Sequence, residues 1–493
     1  MQERCDVMMQ YFHWYTTDDG SWWRQLSQDA EKLVDIGVSA VWLPPANKCI
    51  EGSKDAGYGS YDLYDLGEFN QKNTVRTKYG TAQEYIEAIK VAQRAGLHVY
   101  ADIVFNHKLG GDAEEEFNAT PYDPNNRNQC LGEACKIKAW TQFNFDGRNN
   151  CYSDFKWHWY HFNAVDSCSI PGNAIYLFEG KHFDNDVDHE RGNYDFLMGC
   201  DIDMNDPEVT QELLKWGEWF YDRTGVDGFR FDAVKHVKAE FFYDWLEHMR
   251  QYSKRPLFAV GEYWANAEQS LEHFIQLTKQ DIRLFDVGLH YNFYDAGRAG
   301  RHYDLRNIFK NSLANDYPDM AVTLVTNHDT QPLQALESPI ENNFTPLAYA
   351  MILLRRGGYP CLFAADYYGA TYTDKGHDGK LYTIVMQSYQ DFINQLMQVR
   401  RHYAWGEQTD YLDDAHCIGW VRHGNEEHPF GCVVILSNTD AAKKTMQTNL
   451  GNTAYIDYSG NIKQTITTDA NGKAEFLCNG QAVSVWILKI AVN

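Results

Sequence analysis

The sequence predicts an α/β chain: a (β/α)8 TIM barrel with an inserted, β-rich small domain after strand 3 and a C-terminal antiparallel β-sandwich. Three observations predict it. Short β-prone apolar runs alternate with stretches of helical periodicity over the first 400 residues or so. Four of those runs close on reactive side chains: DIVFNH at Asp102–His107, GFRFDAVKH at Gly228–His236, VGEYW at Val260–Trp264 and VTNHD at Val325–Asp329. Reactive groups at the ends of several strands suit a parallel barrel with its site on the C-terminal face. Beyond about residue 400, strand-like runs are separated by Asn, Gly and Asp turns.

Taken in order, VMMQYF (Val7–Phe12) reads as strand one. Trp22–Ile36 has apolar residues at helical spacing, and Gly37 suits its C-cap. AVWLPP (Ala40–Pro45) is strand two, ended by prolines, and a Gly/Tyr-rich loop, Gly57–Phe69, follows. Ala82–Arg94 is a helix stopped near Gly96, and LHVYADIVF is strand three. From His107 to about Asn205 turn residues, aromatics and acids dominate. A structureless loop of that length is rare in a compact domain, so the segment reads as a small inserted domain. The alternation resumes with a helix at Pro207–Thr224 and strand four at Val226–Phe231. A helix at Ala239–Tyr252, strand five in PLFAVGE, a helix at Glu268–Lys279 and a short strand at Arg283–Phe285 come next. MAVTLVT is strand seven, Leu347–Arg355 a helix, YPCLFA strand eight and Gln387–His402 the last barrel helix. CIGWVRHG, FGCVVILSN, AYIDYSG and AVSVWILKI then form the sandwich. The expected boundaries are 1–106 and 207–398 for the barrel, 107–206 for the insertion and 399–493 for the sandwich.

Composition narrows the function. The 493 residues are 44% hydrophobic, enough for large cores, and 15% aromatic, with 14 Trp and 32 Tyr. Exposed aromatic rings stack on sugar faces, so carbohydrate binding is one reading and a Tyr-rich core the other. A net charge of -24 disfavours nucleic acid and anionic membranes as partners. No apolar run approaches the roughly 18 residues of a membrane span. MQERCDVMMQYF lacks a leader pattern, so a cytoplasmic location is expected; the alternative is a secreted protein whose leader has been removed. The 11 cysteines show no CxxC or zinc spacing and read as buried free thiols, although Cys130/Cys135 and Cys151/Cys168 are close enough in sequence to pair. A monomer is expected.

Three acids at strand ends carry the chemistry: Asp232, Glu262 and Asp329. Cleaving an acetal needs an acid for the leaving oxygen and an anion for the oxocarbenium-like centre. Asp232 and Glu262 end consecutive strands, which lie about 4.8 Å apart. That spacing suits the roughly 5–5.5 Å carboxyl separation of retaining glycosidases. Arg230 is two residues before Asp232 and shares its face of the strand, where a cation favours the ionised, nucleophilic form. Glu262, flanked by Tyr263 and Trp264, sits in an apolar setting that raises its pKa, as a general acid requires. Asp329 stands beside His328 and is placed to hold ring hydroxyls. His107, His236 and His328 read as donors to sugar hydroxyls. A dense acid run in the insertion (Asp184, Asp186, Asp188, Asp195, Asp201, Asp203) reads as a solvated surface or as hard oxygen ligands for Ca²⁺.

These segments, with QYFHWY (Gln10–Tyr15), GYGSYDLYDLGEF, NYDFLMGCDIDMNDPEV (Asn193–Val209), NHDTQPLQALE (Asn327–Glu337) and TPLAYA, resemble the α-amylase family, glycoside hydrolase family 13. The likeness spans nearly the whole chain and is strongest to liquefying-type and cytoplasmic bacterial members. It implies an endo-acting retaining enzyme that hydrolyses internal α-1,4-glucosidic bonds of starch, glycogen or maltodextrins. Asp232 would be the nucleophile, Glu262 the acid/base and Asp329 the transition-state stabiliser. Arg230, His107 and His328 would bind the sugar at the cleavage point, with Tyr58 stacked on it and Lys235, His236 and Trp264 lining adjoining subsites. It also implies Ca²⁺ held by Asn106, Asp195, Asp201 and the backbone carbonyl of His236. A neighbouring sodium–calcium cluster (a second Ca²⁺ and a Na⁺) would fall on Asn163, Asp184, Asp203 and Asn205. Asn163 and Asn205 stand where liquefying relatives have aspartates, and two lost charges weaken that cluster. The competing readings are a transglycosylating or maltooligosaccharide-forming relative, an inactive carbohydrate-binding homologue, and a barrel aldolase using Lys235.

Overall fold

The computed structural model describes residues 5–265 and 267–489. The N-terminal Met1–Arg4 of the leader argument and Ile490 of the last strand-like run lie outside the described residues.

Eight short strands close into a barrel: β1 (Met8–Gln10), β2 (Ala40–Leu43), β3 (His98–Ile103), β4 (Gly228–Phe231), β5 (Phe258–Gly261), β6 (Arg283–Phe285), β7 (Ala321–Leu324) and β8 (Tyr359–Phe363). Each strand pairs in parallel with its sequential neighbours, and β8 closes on β1. The strands match their apolar runs or fall one or two residues short at an end, where the run continues into the buried strand-to-loop corner. Alternation sorts the side chains. Met8, Trp42, Tyr100, Val260, Phe285, Leu324 and Cys361 fill the barrel's interior, and the opposite faces pack outward on the helices.

The helices of ten or more residues are α1 (Trp22–Ile36), α2 (Ala82–Ala95), α3 (Pro207–Thr224), α4 (Ala239–Ser253), α5 (Glu268–Leu277), α6 (Val287–Ala299), α7 (Thr345–Leu354) and α8 (Gln390–His402). The limits of α1 and α3 are those the sequence predicts. Gly37 ends α1 at φ 101°, a left-handed conformation that costs glycine little, and its N–H reaches the carbonyl of Leu33 or Val34. α2 opens on a reciprocal capping box between Thr81 and Glu84.

Between β3 and α3, strands from His107 to Ile202 build a mostly antiparallel sheet. Its spine is Ala113–Asp123, paired with Cys135–Gln142 on one side and Ile175–Phe178 on the other. Cys200–Ile202 pairs with His107–Lys108, so the end of the insertion returns to the strand end where it began. A hairpin, Ala370–Lys375 with Leu381–Met386, stands between β8 and α8. After α8, a six-stranded sheet runs from Gln408 to Leu488, and its pairings are antiparallel. A two-stranded sheet, Ala442–Gln447 with Lys473–Cys478, packs on it through Val433, Ile435, Met446, Phe476 and Trp486.

All eleven cysteines are free thiols, including the four that lie close enough in sequence to pair. No helix among the described residues is long and apolar enough to cross a membrane.

Candidate active site

Register builds the site. Arg230 on β4 lies opposite Asp102 on β3 and Val260 on β5. Asp232 and Glu262 come just past the last paired residues, where the N–H of Asp232 reaches the Ile103 carbonyl and that of Glu262 reaches Phe231. One buried guanidinium then serves three carboxylates. Arg230 Nη1 lies 2.8 Å from Asp102 Oδ1 and 2.6 Å from Asp232 Oδ1, and Nη2 lies 3.1 Å from Glu262 Oε2. These are charge-assisted contacts in a water-poor setting, where they are at their strongest.

The chain turns sharply after Asp232. Ala233 is left-handed at φ 53°, which costs an L-residue about 1–2 kcal/mol. That turn aims the Ala233 N–H at Glu262 Oε2, 2.9 Å away. At the end of β7, Asn327 Oδ1 accepts from the N–H groups of both Asp329 and Thr330 at 2.9 Å, which fixes the Asp329 corner.

Four acids, Asp102, Asp232, Glu262 and Asp329, gather around one cation, so some must keep their protons. Burial pushes Glu262 up to about 8; Arg230 opposes this, and Asp232 and Asp329 add to it. Burial likewise raises Asp329 to about 7 and Asp102 to about 6. The arrangement sets Asp232, in contact with the Arg230 cation, beside a Glu262 carboxyl that keeps its proton, and acetal cleavage uses such a pair.

The rings around it are ordered by hydrogen bonds. Tyr58 Oη donates to Asp102 Oδ2 at 2.8 Å, and Trp42 Nε1 donates to the same oxygen at 2.9 Å. Tyr58, His328 and Trp14 form a cluster of near-parallel rings, with centroids 5.0–6.2 Å apart. Gln10 Nε2 lies 2.9 Å from His328 Nδ1, so the amide donates there and the ring proton sits on Nε2, 3.3 Å from Asp329 Oδ2. His107 is buried, which favours the neutral ring, and its Nε2 donates to the Tyr58 carbonyl at 2.9 Å. Its proton therefore holds the Tyr58 loop. Lys235 Nζ donates to the Trp264 carbonyl and to Glu190 Oε2 of the insertion, both at 2.9 Å. His236 Nδ1 donates to the Tyr194 carbonyl at 2.6 Å, tying the turn after β4 to the insertion. Trp264 Nε1 donates to Tyr291 Oη at 3.2 Å.

The implied calcium ligands fall on the seam between barrel and insertion. Asn106 Oδ1 and Asp195 Oδ2 are buried without a hydrogen-bond partner. Asp195 and Asp201 are buried together, and burial, then mutual repulsion among the cluster's acids, raises both far above the carboxylate range. Orphaned oxygens and crowded carboxylates of this kind fit a hard cation. Among the described residues no three His, Cys, Asp or Glu side chains gather as a metal cluster, so amide and carbonyl oxygens would have to complete the set. The residues of the implied sodium–calcium cluster lie beside it. Asn163 Nδ2 is 3.4 Å from Asp201 Oδ2, Asn205 Nδ2 donates to Asp184 Oδ1 at 2.7 Å, and Asp203 Oδ2 pairs with Lys181 at 2.6 Å.

Asp102, Gln10, Trp42 and Trp14 also belong to the site, and sequence reasoning did not single them out. Asp102 carried a signal, since it opens one of the four acid-bearing segments. The other three are aromatic or amide side chains that only the closed barrel brings to His328 and Tyr58.

Fold and site are of the class that barrel glycoside hydrolases build, and comparison with known proteins narrows the class. Residues 22–423 match the family profile described as "Alpha amylase, catalytic domain". An α-amylase of Geobacillus stearothermophilus is 47% identical over 98% of this chain and 86% of its own length. A cytoplasmic α-amylase of Escherichia coli is 41% identical over 99% of both. A crystal structure of an Anoxybacillus α-amylase shares the fold at a TM-score of 0.66 and 16% identity, covering 100% of this chain and 98% of that one. The chain belongs to the α-amylase family.

Proposed function

We propose that this protein is an endo-acting α-amylase that hydrolyses internal α-1,4-glucosidic bonds of starch, glycogen or maltodextrins with retention. The observation that carries the reading is the Arg230 guanidinium in contact with both Asp232 and Glu262 at the ends of adjacent strands. Asp232, oriented by that contact, attacks the anomeric carbon. Glu262, whose carboxyl keeps its proton near neutrality, protonates the departing oxygen and then, as a base, activates water. Asp329 and His328 grip the hydroxyls of the distorted sugar, Tyr58 stacks on its face, and His107 holds the Tyr58 loop. Lys235, His236 and Trp264 line neighbouring subsites.

Asn106, Asp195, Asp201 and the His236 carbonyl would hold one Ca²⁺, which supplies charge neutralisation and a cross-link between barrel and insertion. The segments 1–106 and 207–398 form the catalytic unit, 107–206 its metal-bearing wall and 399–493 the terminal sandwich. We read the enzyme as a cytoplasmic monomer. The free thiols suit a reducing compartment, and a relative named for the cytoplasm matches the full length.

Digestion of maltoheptaose followed by proton NMR tests the reading. New reducing ends should appear first as the α-anomer, from cleavage at internal bonds. Initial β-anomer would remove the nucleophile role from Asp232, and no cleavage of any α-1,4-glucan would remove the function.

A further inference from the structure

The acid cluster of the insertion divides into two halves with opposite electrostatic bookkeeping. One half, Asp195 and Asp201 with Asn106, keeps two buried oxygens without partners, Asn106 Oδ1 and Asp195 Oδ2. In the other half, Asp184 and Asp203, the protein itself supplies the donors. Lys181 Nζ sits 2.6 Å from Asp203 Oδ2, with only 17% and 8% of the two side chains exposed. The N–H of Asn205 donates to Asp203 Oδ1 at 2.8 Å, so each oxygen of that carboxylate already has a donor from the protein. Lys238 Nζ donates to Asn205 Oδ1 at 2.7 Å, and this fixes the amide's orientation, because an ammonium can only meet the oxygen. The amide nitrogen must then face Asp184, and it donates to Oδ1 there at 2.7 Å.

We propose that Lys181, together with the Lys238–Asn205 relay, is a built-in counter-ion that replaces further metals at this cluster, so that the chain takes a single divalent cation at Asn106, Asp195 and Asp201. The proposal rests on the one-calcium reading above and adds to it what limits the site to one ion. Two like charges cannot share the Asp203 pocket. An ammonium 2.6 Å from a mostly buried carboxylate must leave before a cation can enter, and leaving costs a desolvated ion pair. Asn205 contributes a donor to Asp184 where a cation would need an acceptor.

The test is calcium stoichiometry on the full-length protein, stripped with chelator and re-equilibrated, by elemental analysis and by isothermal titration. Wild type should bind one Ca²⁺ per chain. Lys181→Ala should bind two, the second more weakly, and Lys181→Arg, which keeps the charge, should stay at one. Two or more ions in wild type would overturn the proposal, as would a folded Lys181→Ala that still binds only one. A wild type that binds none while Lys181→Ala binds one would sink the first-site reading and leave the lysine's role standing; none in either sinks both. If Lys181→Ala does not fold, Tb³⁺ luminescence titration of wild type decides, since a second binding class seen there overturns the proposal and a single class supports it.

Discussion

At the scale of residues, the site is an arrangement of one cation among four acids. Replacing Asp232 with Asn keeps the shape and removes the anion that Arg230 contacts. Loss of a covalent nucleophile costs several orders of magnitude, so kcat should fall about 10⁴-fold or more while bound oligosaccharide still protects the protein from heat. Near-normal turnover in Asp232→Asn, with contaminating wild type excluded, would reject the assignment. Glu262 gives a pH prediction with a definite sign. Its carboxyl is raised from 4.5 to about 8 by burial first, then by Asp232 and Asp329. The acid form does the work, so kcat/KM should fall as pH rises through that region, well above an ordinary glutamate's range. Glu262→Gln should lose most activity and flatten the limb. An unchanged alkaline limb in that variant would assign the titration elsewhere. Linkage has the matching sign: a raised carboxyl binds more protons folded than unfolded between 4.5 and 8, so this group makes stability decline with pH across that window.

At the scale of elements, one lysine fastens the Tyr58–Tyr61 loop to the insertion. Lys108 follows His107, is fully buried, and donates from Nζ to the Tyr61 carbonyl at 2.7 Å. Its ammonium faces the rings of Trp157 at 4.9 Å and Phe145 at 5.5 Å, and burial pushes it down to about 8. Lys108→Met keeps the bulk and deletes the donor. A buried bond from a charged donor is worth about 1.5–3 kcal/mol, so the denaturation midpoint should drop by that equivalent. Because Tyr58 is three residues from Tyr61, KM should rise more than kcat falls; a variant that loses stability with both constants untouched would show that the loop does not depend on this anchor. Elements of this kind also mark what the sequence could and could not tell. The spans of α1 and α3 were legible because apolar spacing and Gly37 or Pro207 mark them. α6 was not, because His290 and Gly288 are buried in it and blur the polar face. The Ala113–Asp123 strand hides behind a run of three glutamates, and the hairpin at Ala370–Met386 behind Thr, Asp and Lys on its exposed face. The three candidate acids, Asp232, Glu262 and Asp329, announced themselves at strand ends. Trp42 and Gln10 did not, since their partners lie about 60 and 318 residues away and only closure of the barrel joins them.

At the scale of the whole molecule, the barrel and its insertion meet along a seam that the protein's own groups leave incompletely neutralised. Strand Cys200–Ile202 lies on His107–Lys108, and the N–H of Ile202 reaches the Asn106 carbonyl, so Asp201 and Asn106 are locked side by side. Asp195 is held in the same pocket by the Asn193 side chain, which accepts its N–H at 2.9 Å. Without a cation, two buried carboxylates and two unpartnered oxygens stand against one another, which opposes docking of the insertion. A cation that binds only the docked state stabilises it by mass action, about 2.7 kcal/mol at a hundredfold excess over Kd. EDTA should therefore lower the melting temperature by several degrees and restoring Ca²⁺ should reverse it, whereas Mg²⁺, which keeps its waters and demands a tighter octahedron, should restore less. Because Asp232 and Glu262 are held by Arg230 on β4 and not by Asn106, Asp195 or Asp201, the chelated enzyme held at low temperature should keep its pH profile while losing its resistance to heat. A melting curve indifferent to EDTA, with no metal found by elemental analysis, would leave the orphaned oxygens of Asn106 and Asp195 without their partner and remove calcium from this enzyme.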